Sequence, residues 1–215
     1  MYICSMKNLQ ENIARQLLQI KAIKLQPANP FSWASGWTSP IYCDNRKTLS
    51  YPEVRDFIKI QFARRVLELW PEVDVIAGVA TGAIAQGALV ADLIGKPFVY
   101  VRSSPKGHGL ENLIEGDLKP GQKVVVIEDL ISTGGSSLKA VEALRNNGAE
   151  VLGMLAIFSY GFKVAEDNFD EASVKYETLS DYQALLRVAV ETGYVSSDEL
   201  STLSQWREDP ANWKK

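Results

Sequence analysis

Apolar and polar residues follow two different spacings along this chain. Apolar residues recur at helical spacing from Leu9 to Ile20 and predict a first helix that ends near Lys24. A second helix is predicted from Pro52 to Leu69, because its apolar residues share one face and proline suits a first turn. The segment between them is rich in proline, serine, glycine and tryptophan, which predicts loops and short strands.

From residue 73 onward, short apolar runs alternate with helical patterns. The predicted strands lie at 73–80, 97–102, 123–129 and 150–160, and the predicted helices at 83–95 and 135–148. A long polar loop covers 103–121, and a hairpin within it stays open. Near-continuous apolar strands that alternate with helices predict an α/β fold, a parallel sheet with helices on both faces. The tail adds a helix from Val164, a strand at 174–179, and helices near 181–192 and 196–208.

Length and composition restrict the class of protein. A chain of 215 residues suits one domain, and 46% hydrophobic with 23% charged residues is ordinary for a soluble globular protein. The net charge of -3 argues against a general nucleic-acid binder. No apolar run approaches the roughly 18 residues of a membrane span, and the N-terminus does not resemble a signal peptide. Cys4 and Cys43 are interpreted as two reduced thiols, so we expect a cytoplasmic protein.

The strand predicted at 123–129 ends in two carboxylates, Glu128 and Asp129. A small polar loop with two glycines, Ser132 to Ser137, follows them and leads into a helix. Free backbone N–H groups at a helix start, together with the helix dipole, form a natural anion site. The loop has neither the Walker spacing nor the dinucleotide-binding spacing, and its size suits one phosphate monoester.

The two acids have two possible interpretations. Ionised carboxylates only accept hydrogen bonds, so they suit a neutral diol better than a phosphate. A ribose held by its own 5-phosphate offers such a diol, and the run then indicates a ribose-5-phosphate site. The alternative is a helix N-cap followed by two solvent-exposed acids.

The stretch "VVVIEDLISTGGSS" resembles the phosphoribosyl-pyrophosphate signature of type I phosphoribosyltransferases. The resemblance implies the parallel-sheet fold of that family with a small N-terminal hood. It also implies that Glu128 and Asp129 bind the ribose 2- and 3-hydroxyls and that Ser132 to Ser136 hold the 5-phosphate.

Three more stretches narrow the resemblance to orotate phosphoribosyltransferases. Residues 31–55 resemble their hood, 78–87 their pyrophosphate loop and 100–116 their catalytic loop. This implies one phosphoribosyltransferase domain over 1–215, with residues 1–50 contributing the hood over the base site. The expected reaction converts orotate and 5-phosphoribosyl 1-pyrophosphate into orotidine 5-phosphate and pyrophosphate, with Mg²⁺ on the pyrophosphate and no direct protein ligand assigned to the metal.

The stretch "RSSPKGHG" places Arg102, Lys106 and His108, the only histidine, within seven residues. Cations on a glycine-containing loop suit a lid that closes on a polyanion. The alternative is a solvated charged loop with an incidental histidine. In the family this loop reaches the partner's active site in a homodimer, so the three residues are expected to act in trans.

The resemblance implies the following site residues. The catalytic set is Arg102, Lys106, His108 and Asp129. The residues expected to bind 5-phosphoribosyl 1-pyrophosphate are Thr81, Arg102, Lys106, His108, Glu128, Asp129, Leu130, Ile131, Ser132, Thr133, Gly134, Gly135 and Ser136. Orotate is expected near Ser132 and Tyr160. The aromatic residues of the hood suit either ring stacking or packing, and they are Phe31, Trp33, Trp37 and Tyr42.

The chain departs from the family pattern where a lysine is often found, at Thr38, Gly82, Ser103 and Ser104. Each change removes a cation near a polyanionic substrate, and a charge-assisted contact contributes roughly 1.5–3 kcal/mol. Two rival functions stay open. One is a non-catalytic sensor of 5-phosphoribosyl 1-pyrophosphate, and the other is an enzyme that uses a different base such as xanthine.

Overall fold

A computed structural model describes residues 6–33, 36–104 and 113–213. The chain divides into two compact units. We call Met1–Thr48 with Ser180–Lys215 the terminal unit, and Leu49–Leu179 the central unit. The terminal unit combines the predicted hood with the C-terminal helices. The assignment of the whole chain to one domain with a hood over 1–50 stays a prediction.

The helices and strands follow the predicted order. In chain order they are α1 (Met6–Gln19), β1 (Ile23–Leu25), β2 (Phe31–Ser32), β3 (Thr38–Ser39), β4 (Ile41–Cys43), a 3₁₀ helix (Asn45–Ser50), α2 (Pro52–Leu69), β5 (Val75–Val79), α3 (Ile84–Ile94), β6 (Phe98–Val101), β7 (Ile114–Glu115), β8 (Lys123–Ile131), α4 (Gly135–Asn146), β9 (Glu150–Ser159), α5 (Lys163–Glu171), β10 (Tyr176–Asp181), α6 (Tyr182–Glu191) and α7 (Ser197–Glu208).

A six-stranded sheet in the order β10-β9-β8-β5-β6-β7 organises the central unit. The pairs β5–β6, β5–β8 and β8–β9 are parallel, and β7 is antiparallel to β6. Helices α2 and α3 pack on each other and on the sheet, and so do α4 and α5. Since both faces are covered, the central strands are apolar along their length, and β5 is buried at every position. The predicted α/β fold with a parallel sheet is confirmed.

Three differences from the predicted elements follow from strand pairing. The first helix ends at Gln19 and not near Lys24, because Lys21 adopts a left-handed φ of 55° and the next residues pair with β4 as strand β1. Strand β8 continues to Ile131, since its last residues still pair with β9. Strand β7 supplies the hairpin that the sequence left open within 103–121.

The terminal unit is held together by helix packing and aromatic residues. Helix α1 packs on α6, and Arg15 Nη2 lies 3.0 Å from Glu191 Oε2. Trp33 stacks on Trp37 with ring centroids 6.3 Å apart and meets the buried Trp206 edge to face at 5.7 Å. Trp33 and Trp37 are thus in packing contact with other rings, and the choice between packing and ring stacking on the base stays open. Within the described ranges, no helix has the length and apolar character needed to cross a bilayer.

Candidate active site

The carboxyl ends of the parallel strands bring the predicted site residues of the central unit together. Ligands bind at this edge in open parallel sheets. A cleft of about 510 Å³ lies here, between the ends of β5 and β6 and one side of α4 along its length from Ser136 to Asn146. Its lining includes Ala80, Arg102, Ser103, Ser136 and Lys139.

The loop between β8 and α4 has the form of a phosphate site. Gly134 adopts φ +82°, and a Cβ built on it would lie 2.8 Å from the Phe169 ring, so only glycine fits. Within the described residues no side chain caps α4, and its first residues Gly135 and Ser136 are exposed. The N–H groups of a helix's first turn have no intrahelical partner, so they are available to an anion. Asn168 Nδ2 donates to the Thr133 carbonyl at 2.9 Å and fixes the loop from α5.

Glu128 points into the protein. Glu128 is only 4% exposed, and the Ser137 hydroxyl donates a hydrogen bond to its Oε2 at 2.7 Å. The Asp129 N–H donates to its Oε1 at 2.9 Å. Both oxygens of Glu128 are therefore occupied by internal donors.

Burial changes the protonation of Glu128. Desolvation first, and the neighbouring charge of Asp129 second, raise the pKa of Glu128 to about 8, although the Ser137 hydrogen bond lowers it. A buried carboxyl avoids charge unless donors surround it. Glu128 is therefore largely protonated at neutral pH, which leaves Asp129 as the main negative charge of the pair.

Asp129 lies against the loop that follows β5. A Cβ built on Gly82 would overlap the Asp129 carboxylate, whose three atoms are its nearest neighbours. The Ala80–Thr81 peptide bond precedes this contact in the cis form, and Thr81 is exposed. The structure thus places the predicted pyrophosphate loop next to the second acid of the signature.

Arg102 stands at the base of the predicted catalytic loop. Its N–H donates to the Leu113 carbonyl at 2.8 Å, and its Nη1 lies 3.5 Å from Glu115 Oε1. This Nη1 is buried and has no hydrogen-bond partner among the residues that the structure describes. A buried guanidinium nitrogen beside a cleft suits an anionic ligand. Lys106 and His108 lie outside the described residues.

Three predicted site residues have mainly structural surroundings. Leu130 and Ile131 pair with Phe158 and Ser159 of β9. Tyr160 is 1% exposed and packs between Phe158 and Phe162, with ring centroids 5.7 and 5.3 Å away. Its proposed contact with orotate stays a prediction that this packing does not favour.

Two residues at the site had no assigned role in the sequence interpretation. Ser137 was only the end of the polar loop, and Gly82 was noted only for a missing lysine. The sequence could have indicated Ser137 by its chemistry alone, because a buried acid requires a hydrogen-bond donor and Ser137 places a hydroxyl at the end of the loop. The contact between Gly82 and Asp129 joins two loops that are far apart in sequence, so no local sequence pattern predicts it.

Comparisons with known proteins identify relatives of this chain. The family model described as phosphoribosyl transferase domain matches residues 51–189. The chain is 66% identical to a protein of Bacteroides thetaiotaomicron named orotate phosphoribosyltransferase, over 97% of this chain and 98% of that protein. It is 64% identical to a protein of the same name from Porphyromonas gingivalis, over 97% and 99% of the two chains.

A solved structure shares the fold. The crystal structure of orotate phosphoribosyltransferase from Aeropyrum pernix is similar with a TM-score of 0.71 and 28% sequence identity. The match covers 86% of this chain and 99% of that one. The fold of this chain is therefore similar to that of a solved phosphoribosyltransferase.

Proposed function

The chain belongs to the orotate phosphoribosyltransferase family, and from this premise we propose that it transfers the phosphoribosyl group of 5-phosphoribosyl 1-pyrophosphate to orotate. The products are orotidine 5-phosphate and pyrophosphate, so the reaction belongs to pyrimidine nucleotide (UMP) biosynthesis. The observation that carries the proposal is the carboxylate pair of β8 directly before an uncapped helix start.

The phosphoribosyl group would bind across the end of β8 and the start of α4. The 5-phosphate accepts hydrogen bonds from the N–H groups of the loop 132–136 and is stabilised by the helix dipole. The Asp129 carboxylate accepts hydrogen bonds from the ribose hydroxyls, while Glu128 contributes from its buried position. These contacts orient the ribose for attack at its anomeric carbon.

The protein's chemical task is to stabilise charge while pyrophosphate leaves. The anomeric carbon passes through an oxocarbenium-like state, for which the enzyme needs no covalent nucleophile. Arg102, whose buried Nη1 has Glu115 at 3.5 Å but no hydrogen bond within the described residues, neutralises charge that grows on the pyrophosphate. Lys106 and His108 are proposed to do the same, with a proton or hydrogen bond from His108 to the leaving group. Thr81 lines the pyrophosphate side.

Mg²⁺ is proposed as the metal of the reaction. Among the residues that the structure describes, no three His, Cys, Asp or Glu side chains are close enough to hold an ion between them. Mg²⁺ usually keeps several waters and binds phosphate oxygens of a substrate. The donor set therefore fits an ion that enters with the pyrophosphate and neutralises its charge, with water between the ion and the protein.

Orotate is proposed to lie beyond Ser132, the half-buried first residue of the loop. The backbone of this residue and its hydroxyl are suitable partners for the carboxylate and amide edges of the base. Tyr160 is a weaker candidate because its ring is buried in the core.

A homodimer with the loop 103–116 acting in trans is also proposed. Helix α3 supports it, because only Gln86 and Asp92 among its eleven residues are polar. Several of its apolar residues are nevertheless not buried, and Leu93 is 48% exposed. An apolar helix surface of this kind suits a second copy of the chain. The location in the cytoplasm stays a prediction.

The direct test is loss of orotate absorbance with purified protein, 5-phosphoribosyl 1-pyrophosphate and Mg²⁺. Xanthine, adenine and hypoxanthine are tested in parallel. Orotate-dependent turnover alone is the expected result, and turnover with another base would overturn the assignment. Tight binding of 5-phosphoribosyl 1-pyrophosphate without turnover of any base would point to the sensor, which no observation of the chain favours.

A further inference from the structure

The buried hydrogen bond between Ser137 and Glu128 closes the phosphate loop. We propose that Ser137 is a positioning residue of the reaction, which acts through Glu128 to hold the loop 132–136 in the shape that binds the 5-phosphate. The inference rests on the proposed function. It adds a residue outside the signature positions that were expected to touch the substrate.

The position of the bond in the chain supports this role. Glu128 precedes the loop on β8, and Ser137 follows it in the first turn of α4, nine positions later. The Ser137 hydroxyl and Glu128 Oε2 are 2.7 Å apart, and the two residues are 1% and 4% exposed. The bond therefore joins the two ends of the loop away from water, where a hydrogen bond to a carboxyl is strong.

Ser137 does not behave like an ordinary helical serine. A serine hydroxyl within a helix commonly points to solvent or bonds the carbonyl four residues earlier, which here belongs to Thr133. That carbonyl instead accepts from Asn168 Nδ2 at 2.9 Å. The Ser137 hydroxyl is thus directed at the acid, and the loop is held from two sides, by α5 and by β8.

The same bond divides the work of the two acids. Each Glu128 oxygen accepts one internal hydrogen bond, from Ser137 and from the Asp129 N–H, so the side chain is held by both ends of the loop. Asp129 lies on the other side, against Gly82 of the pyrophosphate loop. Asp129 therefore faces the pyrophosphate loop, and Glu128 supports the phosphate loop from within the protein.

The first experiment replaces Ser137 with alanine. We expect the KM for 5-phosphoribosyl 1-pyrophosphate to rise about tenfold, the factor that corresponds to about 1.4 kcal/mol. The KM for orotate should change less than twofold. Ser137→Thr keeps the hydroxyl and should restore most of the affinity. Ser180→Ala is the matched control, because Ser180 is fully buried, donates to the Gln10 carbonyl at 2.8 Å and belongs to the terminal unit.

A double-mutant cycle tests whether Ser137 acts through Glu128. The Kd for 5-phosphoribosyl 1-pyrophosphate is measured by calorimetry for Ser137→Ala, Glu128→Ala and the double variant. If the serine acts through the acid, Ser137→Ala should change the Kd less than twofold in the Glu128→Ala chain. Independent effects that multiply would overturn the proposal.

One further result would overturn it. If Ser137→Ala lowers the melting temperature as Ser180→Ala does but leaves the KM unchanged, the serine is only a packing residue. The proposed function is tested separately, since turnover of orotate by the unmodified chain does not depend on this bond. Failure of one proposal can therefore be distinguished from failure of the other.

Discussion

The contact between Gly82 and Asp129 predicts that one methyl group will inactivate the enzyme without unfolding it. A Cβ at Gly82 would lie 2.5 Å from Asp129 Oδ1 and closer still to the other two carboxylate atoms. Since a carbon atom needs roughly 3.5 Å from such a neighbour, Gly82→Ala must displace the carboxylate by about 1 Å. A misplacement of this size can lower the rate by about 10²-fold.

The free energy of unfolding of Gly82→Ala should stay the same or rise, although its activity falls. The obstructing atoms are the end of a side chain, which can move, and Gly82 does not have a left-handed φ. Replacing such a glycine with alanine usually adds about 0.4–1 kcal/mol to the free energy of unfolding, because the unfolded chain loses freedom. Gly82→Ala should therefore melt at the same temperature as the unmodified chain or higher.

The assay measures kcat/KM for 5-phosphoribosyl 1-pyrophosphate from orotate absorbance, with thermal unfolding on the same samples. Asp129→Asn is the reference, and adding Gly82→Ala to it should cause little further loss, because both act on one carboxylate. An unchanged kcat/KM in Gly82→Ala would refute the proposed role of the Asp129 position. A collapse of the melting temperature would show that the carboxylate cannot move aside.

Three further predictions test protonation, subunit exchange and assembly. The folded chain holds the Glu128 proton up to a pKa of about 8, whereas an exposed glutamic acid releases it near 4.5. The free energy of unfolding should therefore fall between pH 5 and 8 by up to about 1.4 kcal/mol per pH unit. Denaturant titrations of Glu128→Gln at the same pH values should lack this slope. Parallel plots of unfolding free energy against pH for the two chains would contradict the prediction. Mixing inactive Lys106→Ala and Asp129→Asn chains should restore part of the activity, and proven mixed dimers without activity would exclude exchange of the loop. Leu93→Glu should yield monomers in light scattering, whereas the equally exposed Val164→Glu on α5 should not, and a dimeric Leu93→Glu protein would exclude the α3 surface.

Local sequence patterns predicted the central unit well, because each of its strands, loops and helices comes from one contiguous stretch of residues. The run from Lys123 to Asn146 combines an apolar strand, a glycine loop and a helix, and the structure has these elements within two residues of the predicted bounds. Strands buried on both faces must be apolar, so their positions are visible in the sequence. The site at their carboxyl ends followed from this order.

Other features depend on contacts between distant residues. The end of α1 is set by pairing of β1 with β4, which overrides the helical spacing that continues to Ile20. The burial of Tyr160 depends on its neighbours in the core, and no spacing distinguishes a buried tyrosine from one beside a ligand. The inward turn of Glu128 likewise requires knowledge that Ser137 lies behind it.

The terminal unit is formed by the two ends of the chain, which has a consequence for folding during synthesis on the ribosome. Helix α1 packs on α6, and Gln10 Nε2 donates to Asp181 Oδ2 across a separation of 171 residues. At roughly 5–20 residues per second, α1 waits about 10–35 s for its partner to be translated. During that time its apolar face, with Leu9, Ile13 and Leu17, has no native cover. The central unit therefore has the opportunity to fold before α1 gains its cover from α6.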